Sequence, residues 1–424
     1  MCQTLLDLKH VTTIEIIFFL GVAFLAKEAG APCLDPPDET QLTSYGSEHS
    51  VVATDAQLGK TVVVADSTLY ILDTSSLAIE MSVPLGGFAT NAPAIARLDD
   101  NSWAIFVSAS NRVIYRINPF PGVIVWQQSL ARCPSDSLSA TPTVHLRRLA
   151  TNAFKAIYTT DVVYVGTNYS SICGSSISNR VYALRVTDGR VLRVFNQNVA
   201  YSMDAISQGQ SLDIARDRLY VGSDRTGSVS QHTLWAINVL NMNLVWSKNA
   251  GPIEASPQVL ARRVYVATKD GFIKAYTKSN GKQLWKINVG PTSLKYMFVQ
   301  SRDPYGHLVG AVGRDGRIRL VRDAGEFAEL LWNVGLPNDA RPTTRFGFDS
   351  GEGELYVGAD DGQAYQLAID SGTAIVSPYP NSATSATVKD LTHVMEDTDD
   401  DGFADDPRLI TTTSNRVIKH CAPF

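Results

Sequence analysis

No two of the five cysteines are adjacent, and no C-x-x-C pair occurs among them. The missing C-x-x-C removes the usual zinc and thiol-exchange frameworks. Seven histidines are scattered with no H-E-x-x-H pair, and no G-x-S-x-G elbow is present, so neither a zincin nor a serine hydrolase has an anchor. Gly59-Lys60-Thr61 resembles the end of a phosphate-binding loop, but Thr54 stands where the first glycine is needed and no helix follows. Lys and Arg never run longer than a pair, and 37 basic against 42 acidic residues leave a net charge of −5. That balance offers nucleic acid no electrostatic footing. No segment holds a 3.6-residue apolar period long enough for a buried helix. What remains is a soluble globular composition, 44% hydrophobic and 19% charged.

The N-terminus differs from the rest. Lys9 and His10 precede an apolar run from Ile14 to Ala26, broken by Glu15, and Ala29-Gly30-Ala31 follows. This pattern reads as a secretory signal over residues 1–31, with a retained signal anchor as the alternative. The run is short of the ~20 residues a membrane span needs. Gly30-Ala31-Pro32 before Cys33 is a poor lipobox. A secreted, cell-surface or periplasmic location is expected, with no membrane insertion of the mature domain at 32–424. Cys2 would leave with the signal, and Cys33, Cys133, Cys173 and Cys421 remain as an even set with three possible pairings.

One unit recurs along the chain. Its clearest copy runs from Arg263-Val264-Tyr265-Val266 through Asp270-Gly271 to Ala275-Tyr276, then Asn280-Gly281 and Trp285. Asp-Gly and Asn-Gly are hairpin dipeptides, because both central residues of a type I′ turn take positive φ. Drifted copies begin near Val62, Ala104, Val163, Leu219, Leu308, Leu355 and Leu409. Between copies lies one more strand-like stretch, such as Ala140-Thr141-Pro142-Thr143-Val144. Four strands per unit at a spacing of roughly 41 to 57 residues predict an all-β, eight-bladed propeller of four-stranded antiparallel blades.

The eighth unit stops at Phe424 after its third strand, so its outermost strand is expected from residues 38 to 50. Such strand exchange would close the ring without a free edge. Closure at that seam suggests a Cys33–Cys421 disulfide, and a Cys133–Cys173 bridge would tie blade two to a long loop of blade three. Each would be worth about 2–4 kcal/mol.

The pattern Val-Tyr-Val-x(3)-Asp-Gly-x(3)-Ala-Tyr-x(4)-Gly-Lys-x-x-Trp from Val264 to Trp285 resembles the pyrroloquinoline quinone repeat. That family includes quinoprotein alcohol dehydrogenases and propeller lipoproteins of bacterial outer-membrane assembly. The resemblance implies that Trp285, with Ala275 and Gly281, docks blades together, and that Trp126, Trp246 and Trp332 hold the same position. It also implies that an enzyme of this family would carry adjacent cysteines and an Asp beside Ca²⁺ at the quinone. The cysteine pair is missing and no motif fixes the Asp, so pyrroloquinoline quinone is not expected as a cofactor. A non-catalytic binding or scaffold module is expected, probing a protein or glycan partner through one face or rim, and monomeric. The alternatives are a quinoprotein-type dehydrogenase and an outer-membrane-assembly-like scaffold.

A second motif lies in the last unit. Asp397, Asp399, Asp401 and Asp405 fall at loop positions 1, 3, 5 and 9, the Phe403 carbonyl at 7, and Gly402 at the sharp turn. Hard oxygen ligands at this spacing suit a structural Ca²⁺. The loop looks like those of integrin α/FG-GAP blades, and lacks the position-12 Glu and the helices of an EF-hand. A solvated acidic turn is the plainer alternative. Asn168-Tyr169-Ser170 is a glycosylation sequon. Ser- and Gly-rich loops at Asn168 to Asn179 and Asp224 to Thr233 are expected to project from one rim, where loops commonly carry binding.

Overall fold

The computed structural model describes residues 38–42, 50–130, 137–168, 179–198, 200–224, 232–302, 306–349, 354–369, 375–378, 386–396, 406–414 and 416–421. They form eight separate four-stranded antiparallel sheets, the blades of an eight-bladed propeller. β1 (Asp38–Gln41) precedes the first blade, which is β2 (Ser50–Asp55), β3 (Lys60–Ala65), β4 (Thr68–Asp73) and β5 (Ile79–Pro84). Blade two is β6 (Ala94–Arg97), β7 (Trp103–Ser108), β8 (Val113–Asn118) and β9 (Val123–Ser129). Blade three has β10 (Thr143–His145), helix α1 (Asn152–Ile157), then β11 (Val162–Gly166), β12 (Val181–Arg185) and β13 (Val191–Phe195). Blade four is β14 (Gln210–Asp213), β15 (Arg218–Gly222), β16 (Leu234–Asn238) and β17 (Asn243–Lys248). Blade five is β18 (Gln258–Leu260), β19 (Arg263–Ala267), β20 (Phe272–Thr277) and β21 (Gln283–Asn288). Blade six is β22 (Leu294–Arg302), β23 (Gly306–Gly313), β24 (Arg317–Asp323) and β25 (Ala328–Gly335). Blade seven is β26 (Gly347–Asp349), β27 (Glu354–Gly358), β28 (Ala364–Ala368) and β29 (Ile375–Pro378). Blade eight is β30 (Asp390–Glu396), β31 (Asp406–Thr412) and β32 (Arg416–Cys421), and its fourth strand is β1, with Asp38 opposite Lys419 and Gln41 opposite Arg416.

Burial follows strand position. The two middle strands are buried on both faces, as in β3, where Val62, Val63 and Val64 are inaccessible. Sheets covered on both sides read as continuous apolar runs. The outer strand of blade two, by contrast, alternates between exposed and half-buried residues. The core is correspondingly divided into clusters between neighbouring blades. Ile71 and Ile105 meet between blades one and two, Tyr220 and Val264 between four and five, and Val63 and Ile410 between one and eight.

Tryptophan docking joins these clusters. Trp126 on β9 donates through Nε1 to the Val186 carbonyl of blade three at 2.7 Å, and Trp246 on β17 donates to the Lys278 carbonyl of blade five at 3.2 Å. Trp285 on β21 instead reaches the buried Asp323 carboxylate of blade six at 2.9 Å. Each ring of the first two lies on a glycine of the following blade. A Cβ at Gly189 would stand 2.7 Å from Trp126, and one at Gly281 2.6 Å from Trp246. Gly281 therefore receives the tryptophan of the preceding blade rather than Trp285 of its own.

The helix α1 was not legible in the apolar period because it spans only six residues. Thr151 caps it, accepting from the Phe154 N–H at 3.1 Å, and its one buried side chain, Phe154, stacks on His145. Among the described residues no helix is long and apolar enough to cross a membrane.

Trp246→Ala should lower stability by about 3–5 kcal/mol in urea denaturation. Gly281→Ala should also destabilise, and its penalty should shrink in the Trp246→Ala background, because the two share one contact. Additive effects would show that the docking is not coupled.

Candidate functional site at the channel mouth

Antiparallel pairing puts the start of each first strand, the second-to-third turn and the end of the fourth strand on one face of the disc. On the axis, residues of the first strands or of the segments leading into them, from Val51 in blade one to Asp390 in blade eight, line a cavity of about 290 Å³. Neutral amides bridge non-adjacent blades across it. Asn91, leading into blade two, donates to the Ser207 carbonyl before blade four at 3.0 Å and also reaches Ser139. Gln208 donates to the Lys295 carbonyl in blade six at 2.9 Å.

Among the described residues lining this channel, the one ion pair forms a linkage across the blade seven–eight–one seam. Arg345 donates to Asp390 through Nη2 at 3.1 Å and Nε at 3.2 Å, and also to the Val52 carbonyl. The Val52 N–H donates back to Asp390 at 3.0 Å. Burial pushes the Asp390 carboxyl above its ordinary value, against the pull of Arg345. No group of three His, Cys, Asp or Glu suited to a metal occurs among the described residues.

Above the channel the mouth widens to a cavity of about 450 Å³, sharing Val51, Thr90, Tyr296 and Lys389 with the channel below. Lys295, Arg314, Arg341 and Lys389 line it, against one carboxylate, Asp360. Asp360 is partly engaged, accepting from the Arg341 N–H at 2.7 Å. The Lys295 ammonium sits 4.7 Å from the centre of the Tyr296 ring. Burial raises the Tyr296 phenol, opposed by Lys295. Arg314 pairs with Glu254 at 2.7 Å, Glu254 lies 3.8 Å from Lys269, and Lys269 pairs with Asp224. This chain of ions runs from the mouth to the base of the long loop of blade four.

Both long loops predicted from sequence are anchored on this same face, at Asn168 and Asn179 and at Asp224 and Thr233. The Asn168 backbone pairs with Ser137, and its side-chain amide, the sequon nitrogen, donates to Ser139 Oγ at 3.0 Å. Asp397, Asp399, Asp401, Phe403, Asp405, Cys33, Cys133 and Cys173 lie outside the described residues. Cys421 is the last residue of β32, opposite Arg408. The mouth cations escaped the sequence reading. The one signal for them was the alignment of repeats, which sets Arg314-Asp315-Gly316 on the same hairpin as Lys269-Asp270-Gly271.

Residues 204–326 match the family model described as outer membrane protein assembly factor BamB. The match takes in blades four and five and the first three strands of blade six, including Glu254, Lys269, Lys295 and Arg314. No curated protein matches the sequence. Solved structures share the fold at low identity. Sqt1 of Saccharomyces cerevisiae is 10% identical, with 92% of this chain and all of that one covered at a TM-score of 0.67. The designed protein Ika8 is 14% identical, over 91% of this chain and all of that one, at 0.61. The quinohemoprotein alcohol dehydrogenase ADHIIG of Pseudomonas putida HK5 is 11% identical, over 92% of this chain and 76% of that one, at 0.63. At these identities the likeness is one of fold alone.

Arg345→Met would leave Asp390 buried without its cation and should cost roughly 1–3 kcal/mol at neutral pH, less than a fully enclosed pair because Arg345 is partly open to solvent. The folded carboxyl would then hold its proton at higher pH than the unfolded chain does. The deficit should therefore shrink as pH falls from 7 toward about 4, read as melting temperature against pH.

Proposed function

We propose that this chain is an exported, non-catalytic propeller scaffold that binds a protein partner on the face around the channel mouth. The observation that carries the reading is the mouth itself: four cations against one carboxylate, on the face that also anchors both long loops. A rigid ring beneath long Ser- and Gly-rich loops is a common way to present a binding surface. The family model matched by residues 204–326 describes an outer membrane protein assembly factor, and this favours a scaffold of that kind over a quinoprotein-type dehydrogenase. No observation favours a glycan partner over a protein.

The β1–β32 pairing is read as the strand exchange that closes the ring. Disulfides Cys33–Cys421 and Cys133–Cys173 would reinforce it, and the mature chain is taken as a monomer. A structural Ca²⁺ in the loop of Asp397, Asp399, Asp401, Phe403 and Asp405 is supported by the ligand spacing and by the pairing of the flanking strands, where Glu396 stands opposite Asp406.

A photo-crosslinking residue placed at Thr90, on the mouth face, should give a discrete protein adduct in cells that make the chain. The same residue at Leu149, on the opposite face, should give none. Adducts from Leu149 alone, or from neither, would overturn the reading. For calcium, a chelator should lower the melting temperature of the wild type and leave the Asp399→Ala/Asp401→Ala variant unchanged. An unresponsive wild type would reduce the loop to an acidic turn.

A further inference from the structure

The mouth of the channel runs against the charge of the molecule. The chain carries a net −5, yet Lys295, Arg314, Arg341 and Lys389 converge on one cavity of about 450 Å³. They come from separate elements of blades six to eight: the first strand of blade six, its second-to-third turn, and the lead-ins to blades seven and eight. Arg314 is shared with Glu254, whereas Lys295, Arg341 and Lys389 make no ion pair with any described residue. Like charges held together repel, and a bound anion removes that repulsion.

We infer that this mouth recognises a carboxylate-rich segment of a protein partner. The inference rests on the reading of this face as the binding face and adds the chemistry of what it binds. Three features select that chemistry. A sugar ring needs an open aromatic platform, and the one aromatic among the described residues lining the mouth, Tyr296, has the Lys295 ammonium over its ring. Single-stranded nucleic acid needs aromatics interleaved with a basic groove, and the described lining of the mouth has no second aromatic. A free small acid would fill the cavity and stop there, whereas charged groups continue outward from Arg314 through Glu254 and Lys269 to Asp224. That extended footprint suits a polypeptide crossing the face with its carboxylates over the cavity. Lysine and arginine in such a rim act mainly through steering and charge complementarity, so binding should depend on salt.

The test is fluorescence anisotropy of the full chain with a labelled peptide alternating Asp and Glu, beside a lysine peptide of equal length and unlabelled citrate. The acidic peptide should bind at about 20 mM salt and be released at about 300 mM. Lys295→Gln/Lys389→Gln should weaken it about tenfold, from loss of two point charges at close range. Lys155→Gln/Lys282→Gln, on the opposite face, should leave it unchanged, and matched melting temperatures would show that both variants fold. Absence of peptide binding, binding indifferent to the mouth substitutions, or citrate bound at the mouth while the peptide is not, would each overturn the inference. Crosslinking from Thr90 is read independently. A failed titration beside a Thr90 adduct removes the acidic segment and keeps the binding face, and loss of the adduct removes both.

Discussion

Each blade buries both faces of its middle strands against its two neighbours and cannot do so alone. Val62 to Val64, Val163 to Val165 and Val264 to Val266 are shut off from water on both sides, so an isolated blade would leave both of these faces in solvent. Burial at ~25 cal/mol per Å² makes the neighbour obligatory, and the requirement passes around the circle until the last blade meets the first. The cluster of Leu42, Val52, Val63, Ile410 and Val417 is where that circuit ends. Tryptophan docking adds direction to the packing. Trp126 and Trp246 each reach forward to a carbonyl and a glycine of the next blade, which sets how neighbouring sheets sit on one another.

With the apolar surface consumed between blades, polar and charged groups collect at the axis and on the faces. In the channel they are satisfied internally, through Asn91, Gln208 and the Arg345–Asp390–Val52 linkage. The Asn91–Ser207 and Gln208–Lys295 bonds span blades that do not pack side by side, so the channel is part of the scaffold. At the mouth the pattern changes, since among the described residues the cations there outnumber the lining carboxylates, and Lys295, Arg341 and Lys389 make no ion pair. A propeller face is built from turns of every blade, and a site on it can therefore gather residues far apart in the chain. Lys295 and Lys389 lie almost a hundred positions apart, yet they share one cavity.

The blades could be read from the chain because their signals are local. Asp270-Gly271 and Asn280-Gly281 mark hairpins whose geometry depends on adjacent residues, and alternation in strands such as Val123 to Ser129 depends on residues two apart. The recurring Tyr-Val-Gly or Tyr-Val-Ala strands and the spaced tryptophans carried the repeat, and from the repeat the number of blades. The helix α1 was missed because six residues bear too little periodicity to stand out. Gly281 was legible as a docking residue, but the tryptophan that meets it was not, because the fold brings Trp246 across from blade four.

What the sequence by itself determined is the all-β repeat, its four strands, its eight units and the residue types that hold them, since each follows from short-range propensity, turn chemistry and period. Tertiary structure decided which tryptophan meets which glycine, that Asp390 is locked to Arg345, and that four scattered cations line one mouth. Those are relations between residues from 19 positions apart, Lys295 and Arg314, to 338, Val52 and Asp390. No local pattern encodes them, because they exist only after the blades have been turned about a common axis.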